Sequence, residues 1–456
     1  MVELMISAPA SGSGKTVLTC ALLAALKKRG LDPCAFKCGP DYIDPMFHRS
    51  ALGVDSHNLD LFLSDEDAVR GLYRRYGGGH GSVVVEGAMG FYDGLGGATD
   101  RASAWHGADT LDLPVLLAVR PKGASLTLAA QIRGLTAFRT PSHIAGLFLS
   151  DCSPMLAKSL KPILERETGL PVVGYLPHLE EAALASRHLG LQTAGEIEDL
   201  TARIERVART LNDTLDWEKF FALFDRRAGW EAPTAPPPWA EERVPLAVAR
   251  DEAFCFTYAE TLDALEEAGA ELVYFSPLHD EKIPERACAL YLPGGYPELY
   301  AAQLAQNGSM RGSVRAAVSG GMPTVAECGG FLYLGQSLEG MDGRAWPMAG
   351  HLPGEGIKRD RLVRFGYSHL RAEGDSLLFR AGEEVPVHEF HYWDSTQNGE
   401  GLTAVKPLTG RNWRCGFVNE RLYAAFPHLY SAGRPELASR FVRAAKLYGK
   451  ERIDHE

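Results

Sequence analysis

Short apolar runs recur along the first half of the chain: VELMIS (2–7), CAFKC (34–38), SVVVEG (82–87), PVLLAVR (114–120), IAGLFLS (144–150) and PVVGYLP (171–177). Each is apolar nearly throughout and gives way to a glycine, a proline or a polar break. A strand with one wet face alternates apolar and polar residues. Continuous runs instead predict strands covered on both faces, as in a parallel sheet. Between the first two runs, TVLTCALLAALKKRG (16–30) repeats its apolar residues at helical spacing, carries Lys27 and Lys28 near its end and stops at Gly30. Strand–helix alternation of this kind predicts an α/β domain over residues 1–225. The pattern lapses at 226–243, RRAGWEAPTAPPPWAEER, where prolines forbid continuous helix and favour an extended linker. It resumes with strands VPLAVAR (244–250), ELVYFSP (271–277), CALYLPGG (288–295) and MPTVAEC (322–328), and a helix at TYAETLDALEEAGA (257–270). These predict a second α/β domain over 244–450.

Composition changes this picture little. A chain of 456 residues fits two or three domains, and 45% hydrophobic with 23% charged content is ordinary for a globular protein. The net charge of −11 argues against a general nucleic-acid binder, and local lysines and arginines must hold any acidic substrate. No uncharged apolar stretch approaches the roughly 18 residues of a membrane span. The N-terminus lacks the basic-then-apolar pattern of a signal peptide. Eight scattered cysteines without a CxxC pair point to a reducing cytoplasm rather than a disulfide framework. Cys34 and Cys38 lack the second ligand pair that a metal site needs.

SAPASGSGKTVLT (7–19) joins the first strand to the first helix, the setting of a phosphate-binding loop. Gly12, Ser13 and Gly14 let backbone N–H groups close on phosphate. Lys15 reaches the outer phosphates, and the Thr16 hydroxyl can ligate Mg²⁺. Pro9 stands where the loop's usual first glycine would be, so the cradle must come from residues 11–16. A Mg²⁺–ATP site also wants a carboxylate from a neighbouring strand end. Glu86 ends an apolar run, and Asp93 follows in the same segment. FKCGPDYIDPMFH (36–48) sets Lys37, Asp41, Tyr42, Asp44 and His48 at the same sheet edge, where open α/β folds bind ligands. Lys37 can balance charge on a transferring phosphate, and Asp41 is a metal-ligand candidate.

Cys328 lies between an apolar run and Gly329–Gly330, the pattern of a sharp strand-to-helix turn that exposes a nucleophile. The Gly329 N–H, with Gly294 or Gly295 of LPGGYPELY, would supply the oxyanion hole. The thiol needs a base. His428 of AAFPHLYS follows an apolar run, while His388 and His391 of VHEFHYWDS compete for the role.

With these segments, ARDEAFCFTY and AECGGFLYL added, the chain resembles the glutamine-dependent cobyrinic acid a,c-diamide synthase family over nearly its whole length. The resemblance implies an N-terminal domain similar to dethiobiotin synthetase and a C-terminal class I glutamine amidotransferase domain. It selects His428 as partner of Cys328, and Gly295 and Gly329 as oxyanion donors. It assigns Asp41, Tyr42, Asp44 and Asp93 to the acceptor, and Thr16, Asp41 and Glu86 to Mg²⁺. The wider class I group has a glutamate two residues after the histidine. Here that residue is Tyr430, which predicts an imidazole without an evident carboxylate to orient it.

The implied reaction converts carboxylates of a corrinoid acid to acyl phosphates with ATP. It then displaces phosphate with ammonia freed from glutamine at Cys328, and the two sites are expected to face each other. Arg49, Arg101, Arg120 and Lys122 are candidates for holding acceptor carboxylates. Hydrogenobyrinate or nickel sirohydrochlorin could replace cobyrinate, since the metal belongs to the substrate. A nucleotide-switch ATPase fused to an inactive glutaminase is the alternative of another kind. Neither nucleic acid nor membrane is expected as a partner, and a homodimer is compatible with this assignment.

Overall fold

The computed structural model describes residues 1–180, 200–226 and 243–455, and the proline-rich stretch 227–242 lies outside them. The chain separates into two compact units, Met1–Thr234 and Ala235–Glu456.

In the first unit, β1 (Val2–Ser7), β2 (Pro33–Cys38), β3 (Asp55–Leu59), β4 (Ser82–Glu86), β5 (Val115–Val119), β6 (Ile144–Leu149) and β7 (Val172–Tyr175) form one sheet in the order β3-β2-β4-β1-β5-β6-β7. All its pairings are parallel. Successive residues serve opposite faces. Met5, Val83 and Val85 pack into one core cluster, whereas Leu4, Ile6 and Val84 pack into another. This double burial is why these strands read as unbroken apolar runs. The edge strand β3, DSHNL, is too polar to announce itself and goes unpredicted.

The second unit holds a sheet of β8 (Val244–Ala249), β9 (Ala270–Phe275), β10 (Ala289–Leu292), β11 (Thr324–Glu327), β18 (Phe417–Val418) and β19 (Leu422–Ala425), in the order β18-β19-β11-β10-β8-β9. Only the β18–β19 pairing is antiparallel. A separate, mainly antiparallel sheet comes from β12 (Ser337–Glu339), β13 (Ala345–Pro347), β14 (Glu355–Ala372), β15 (Glu384–Ser395), β16 (Leu402–Val405) and β17 (Asn412–Cys415). The sequence pattern predicts neither its strands nor their pairing. Among the described residues no helix is long and apolar enough to cross a membrane.

Candidate active site

In the first unit the site grows from strand register. β4 lies between β1 and β2, and Glu86 stands opposite both Ile6 and Lys37 at the carboxyl ends of the strands. The loop after β1 reaches its helix, Lys15–Lys28, through Gly12 at φ 75° and Gly14 at φ 89°. Only glycine holds this left-handed backbone without strain. Gly90 brings the loop after β4 against the phosphate loop: a Cβ there would sit 2.7 Å from the Pro9 carbonyl oxygen.

The charged groups converge on Glu86, which is fully buried. Its Oε1 accepts from Thr16 Oγ1 at 2.6 Å and from Lys37 Nζ at 2.7 Å. Lys37 Nζ also meets Asp44 Oδ2 at 2.5 Å. Burial alone would lower the Lys37 pKa, but Asp44, Glu86 and Asp41 outweigh it and hold the ammonium well above the ordinary lysine value. One cation thus faces two buried carboxylates. Burial pushes Asp44 up to about 8 against the pull of Lys37, while Lys37 and Thr16 overcome burial to keep Glu86 below the carboxylate range. Lys15 donates to the Met89 carbonyl, and burial brings its pKa to about 8, Glu86 opposing and Lys37 assisting.

The remaining candidates divide. Asp41 Oδ1 accepts from the Ile43 and Asp44 N–H groups at 2.8 and 3.1 Å, and half-buried Tyr42 stands at the head of the same helix, Ile43–Leu52. Asp93 Oδ2 accepts from Gly90 N–H at 3.1 Å. His48 turns inward instead, with Nδ1 3.0 Å from Ser56 Oγ, and burial lowers its pKa to about 4. Arg49 donates to the Ser56 carbonyl and Arg120 pairs with Asp151, while Arg101 and Lys122 are exposed. Cys34 and Cys38 are buried thiols, and among the described residues no cluster of three or more His, Cys, Asp or Glu side chains could hold a metal.

In the second unit, Cys328 joins β11 to the helix Gly329–Leu334 with φ at 47°, a left-handed conformation that a cysteine rarely adopts. Close approach of glycines builds its surroundings. A Cβ on Gly330 would sit 2.0 Å from the Leu292 carbonyl oxygen, and one on Gly329 would lie 3.1 Å from the Gly295 nitrogen. Gly295 and Gly329 are thereby neighbours beside the thiol. A Cβ on Gly294 would collide with the His428 ring at 2.6 Å.

His428 follows β19 and is buried. Its N–H donates to the His388 carbonyl at 3.0 Å, a single antiparallel bridge to β15. Its ring and the Cys328 Cβ both border Gly294, at 2.6 and 3.5 Å from where a Cβ on that glycine would stand. His388 is the ring most suppressed by burial, to about 3, with His428 adding to the effect. His391 stacks on Phe426 with ring centroids 3.9 Å apart and engages Glu389 at 3.0 Å.

The expectation of an unaccompanied imidazole fails. Glu327, buried at the end of β11 and one residue before the nucleophile, places Oε2 3.6 Å from His428 Nδ1. Tyr291 OH donates to the same carboxylate at 3.1 Å, and the Leu429 N–H donates to Oε1 at 3.1 Å. Burial would lower the His428 pKa, yet Cys328 and Glu327 raise it to about 10. Tyr430 instead packs edge-on to Tyr258 at 5.0 Å in the core. The signal for Glu327 was a carboxylate closing an otherwise apolar strand, the same signal that marks Glu86.

The comparisons agree with this division. Residues 4–191 match the CobQ/CobB/MinD/ParA nucleotide binding domain, and residues 245–435 match the CobB/CobQ-like glutamine amidotransferase domain. The cobyrinate a,c-diamide synthase of Clostridium acetobutylicum is 35% identical over 449 residues, covering 97% of this chain and 100% of that protein. The synthase of the same name from Salmonella typhimurium is 38% identical, covering 97% and 98%. That from Synechococcus sp. is 37% identical, covering 98% of each. The chain belongs to the cobyrinate a,c-diamide synthase family.

Proposed function

We propose that the chain amidates the a and c carboxylates of cobyrinic acid in cobalamin biosynthesis, using ATP and glutamine and passing through acyl phosphates. The observation that carries this is the pairing, in one chain, of the buried Lys37–Glu86 pair, bonded to Thr16 of a phosphate loop, with a Cys328–His428–Glu327 cluster on a strained elbow. We assign residues 1–225 to the amidoligase, 226–243 to a linker and 244–450 to the glutaminase.

A carboxylate resists amine attack because oxide is a poor leaving group. Its oxygen therefore attacks the γ-phosphorus of ATP, forming an O–P bond as the bond to ADP breaks. Residues 12–16 cradle the phosphates, and the Lys15 and Lys37 ammoniums offset charge on the transferring group. Asp41, Tyr42, Asp44 and Asp93 border the acceptor. Glu86 Oε2 is buried and has no hydrogen-bond partner among the described residues. With the Thr16 hydroxyl it suits a hard cation whose other ligands are phosphate and water oxygens. Thr16, Glu86 and, from the helix start, Asp41 would hold Mg²⁺, which supplies charge neutralisation there. Glu86→Gln keeps the acceptor for Thr16 but loses the charge. It is expected to raise the Mg²⁺ concentration for half-maximal rate by about 10-fold or more, and an unchanged Mg²⁺ titration would refute the assignment.

At the other site the Cys328 sulfur attacks the glutamine amide carbon while Gly295 and Gly329 N–H groups face the oxyanion. His428 takes the thiol proton and delivers it to the departing nitrogen, so the C–N bond breaks to ammonia and a thioester that water hydrolyses. Ammonia then adds to the acyl phosphate, and phosphate leaves. Two rounds yield the diamide. The eight free thiols fit a reducing cytoplasm, where we place the enzyme without a nucleic-acid or membrane partner, and a homodimer is compatible with it.

Mass spectrometry of products tests the assignment. Incubation with ATP, glutamine and cobyrinic acid should give two successive losses of about one mass unit (OH to NH₂). Hydrogenobyrinate and nickel sirohydrochlorin serve as competing acceptors. ATP hydrolysis that is indifferent to any tetrapyrrole acid, with no amide formed, would favour a nucleotide switch instead.

A further inference from the structure

The second unit carries a basic cavity that the reaction above leaves unused. It is open to solvent, with a volume of about 810 Å³, within the range of small-molecule sites, and Arg359, Arg361, Arg364 and Arg411 line it together with Asp360 and Asp394. The register of β14 against β15 shows how it forms. Between the pairs Lys358↔Trp393 and Val363↔His391, β14 advances five residues while β15 advances two. The excess residues, Arg359 to Leu362, bulge out of the ladder.

The bulge is braced from behind. Lys406 Nζ lies 2.7–3.1 Å from the carbonyls of Arg364, Phe365, Gly366 and Tyr367. Arg364 sits at φ 50°, left-handed for a non-glycine residue. Its guanidinium pairs with Asp394, which also accepts from the Ser395 N–H at 2.9 Å. Asp394 is thus already engaged, whereas Arg361 and Arg411 form no ion pair among the described residues. Next to the basic rim, Phe365, Phe390 and Tyr392 are exposed yet touch one another, with centroids 5.4 and 6.3 Å apart. Arginine forks suit carboxylates, and exposed rings suit a flat apolar body.

We propose that this cavity is a docking subsite for the acceptor, with Arg359, Arg361 and Arg411 holding rim carboxylates of a tetrapyrrole acid and the three rings meeting its macrocycle. This rests on the function proposed above. In a chain of net charge −11, a polyanionic acceptor needs such a local excess of cations. The floor also adjoins the glutaminase scaffold. Arg364 lies 5.5 Å over Phe426, two residues before His428.

The test is equilibrium titration of the full-length enzyme with cobyrinic acid. Arg359→Gln with Arg361→Gln should raise Kd about 10-fold or more and flatten its salt dependence, and Asp360→Asn should lower Kd. The acceptor-independent glutaminase rate and the KM for glutamine should stay at wild-type values, which shows that the glutaminase remains folded. A double variant that binds cobyrinic acid within twofold of wild type, with the same salt slope, overturns the subsite alone. So does an effect confined to self-association in sedimentation. Wild-type enzyme that binds no tetrapyrrole acid overturns the proposed function and the subsite with it.

Discussion

Replacing Cys328 by serine is expected to lower glutamine-dependent amidation by about 10³-fold or more while leaving amidation from added ammonia near the wild-type rate. The substitution changes one atom at a turn whose backbone is set by its neighbours. Cys328 N–H is held by the Ala425 carbonyl at 2.9 Å, and Gly329 and Gly330 allow the close approaches behind it. The fold should therefore survive. What is lost is nucleophilicity: a hydroxyl holds its proton far more tightly than a thiol, and His428 cannot make up the difference. The phosphate site of the first unit is untouched, so acyl phosphate still forms and any ammonia that reaches it reacts. Glutamate release and amide formation, measured in parallel with glutamine or ammonium chloride, separate the two activities. A serine variant that draws nitrogen from glutamine at the native rate would remove the thioester from the mechanism. Equal loss with both nitrogen sources would mean that the elbow supports more than glutamine cleavage.

The residues that could be read from sequence are those whose physics is local. The β1–loop–helix segment declares itself because a buried parallel strand, a glycine loop and a helical period occur in direct succession. Cys328 is visible for the same reason. Glu86 and Lys37 are legible as polar residues closing apolar runs, and parallel register then brings them together. Non-local features stay hidden. β3 gains its place from neighbours rather than from apolar residues of its own. β14 and β15 pair through a ladder broken by a bulge, so neither strict alternation nor a tight turn marks them. His48 shares its segment with Asp41 and Asp44, yet helix geometry turns it toward Ser56. Glu327 stays hidden because nothing in the sequence around His428 points to it. Parallel pairing of β11 with β19 brings the carboxylate from 101 positions upstream.

Changing Glu327 to glutamine should lower kcat/KM for glutamine about 10²-fold and move the alkaline limb of its pH profile toward neutrality. An acid that only orients a catalytic imidazole can be worth up to about 10⁴ in rate. The effect here should be smaller, because Glu327 lies 3.6 Å from Nδ1 and the His428 backbone is held independently by His388. The sign of the pH shift follows from charge. His428 is raised to about 10, against burial, by Cys328 and Glu327. Removing an anion beside a cation favours the neutral ring, so its pKa falls. The imidazolium that must protonate the leaving nitrogen is then lost at lower pH. Glutamine retains an oxygen that can accept from the Leu429 N–H, so the turn after β19 keeps its anchor. Glu327→Asp restores the charge on a shorter stem and should recover part of the rate and most of the pH profile. A purely structural role predicts reduced stability and an unmoved profile. A glutamine variant whose alkaline limb coincides with that of wild type would therefore show that the carboxylate supports the turn and does not act on the imidazole.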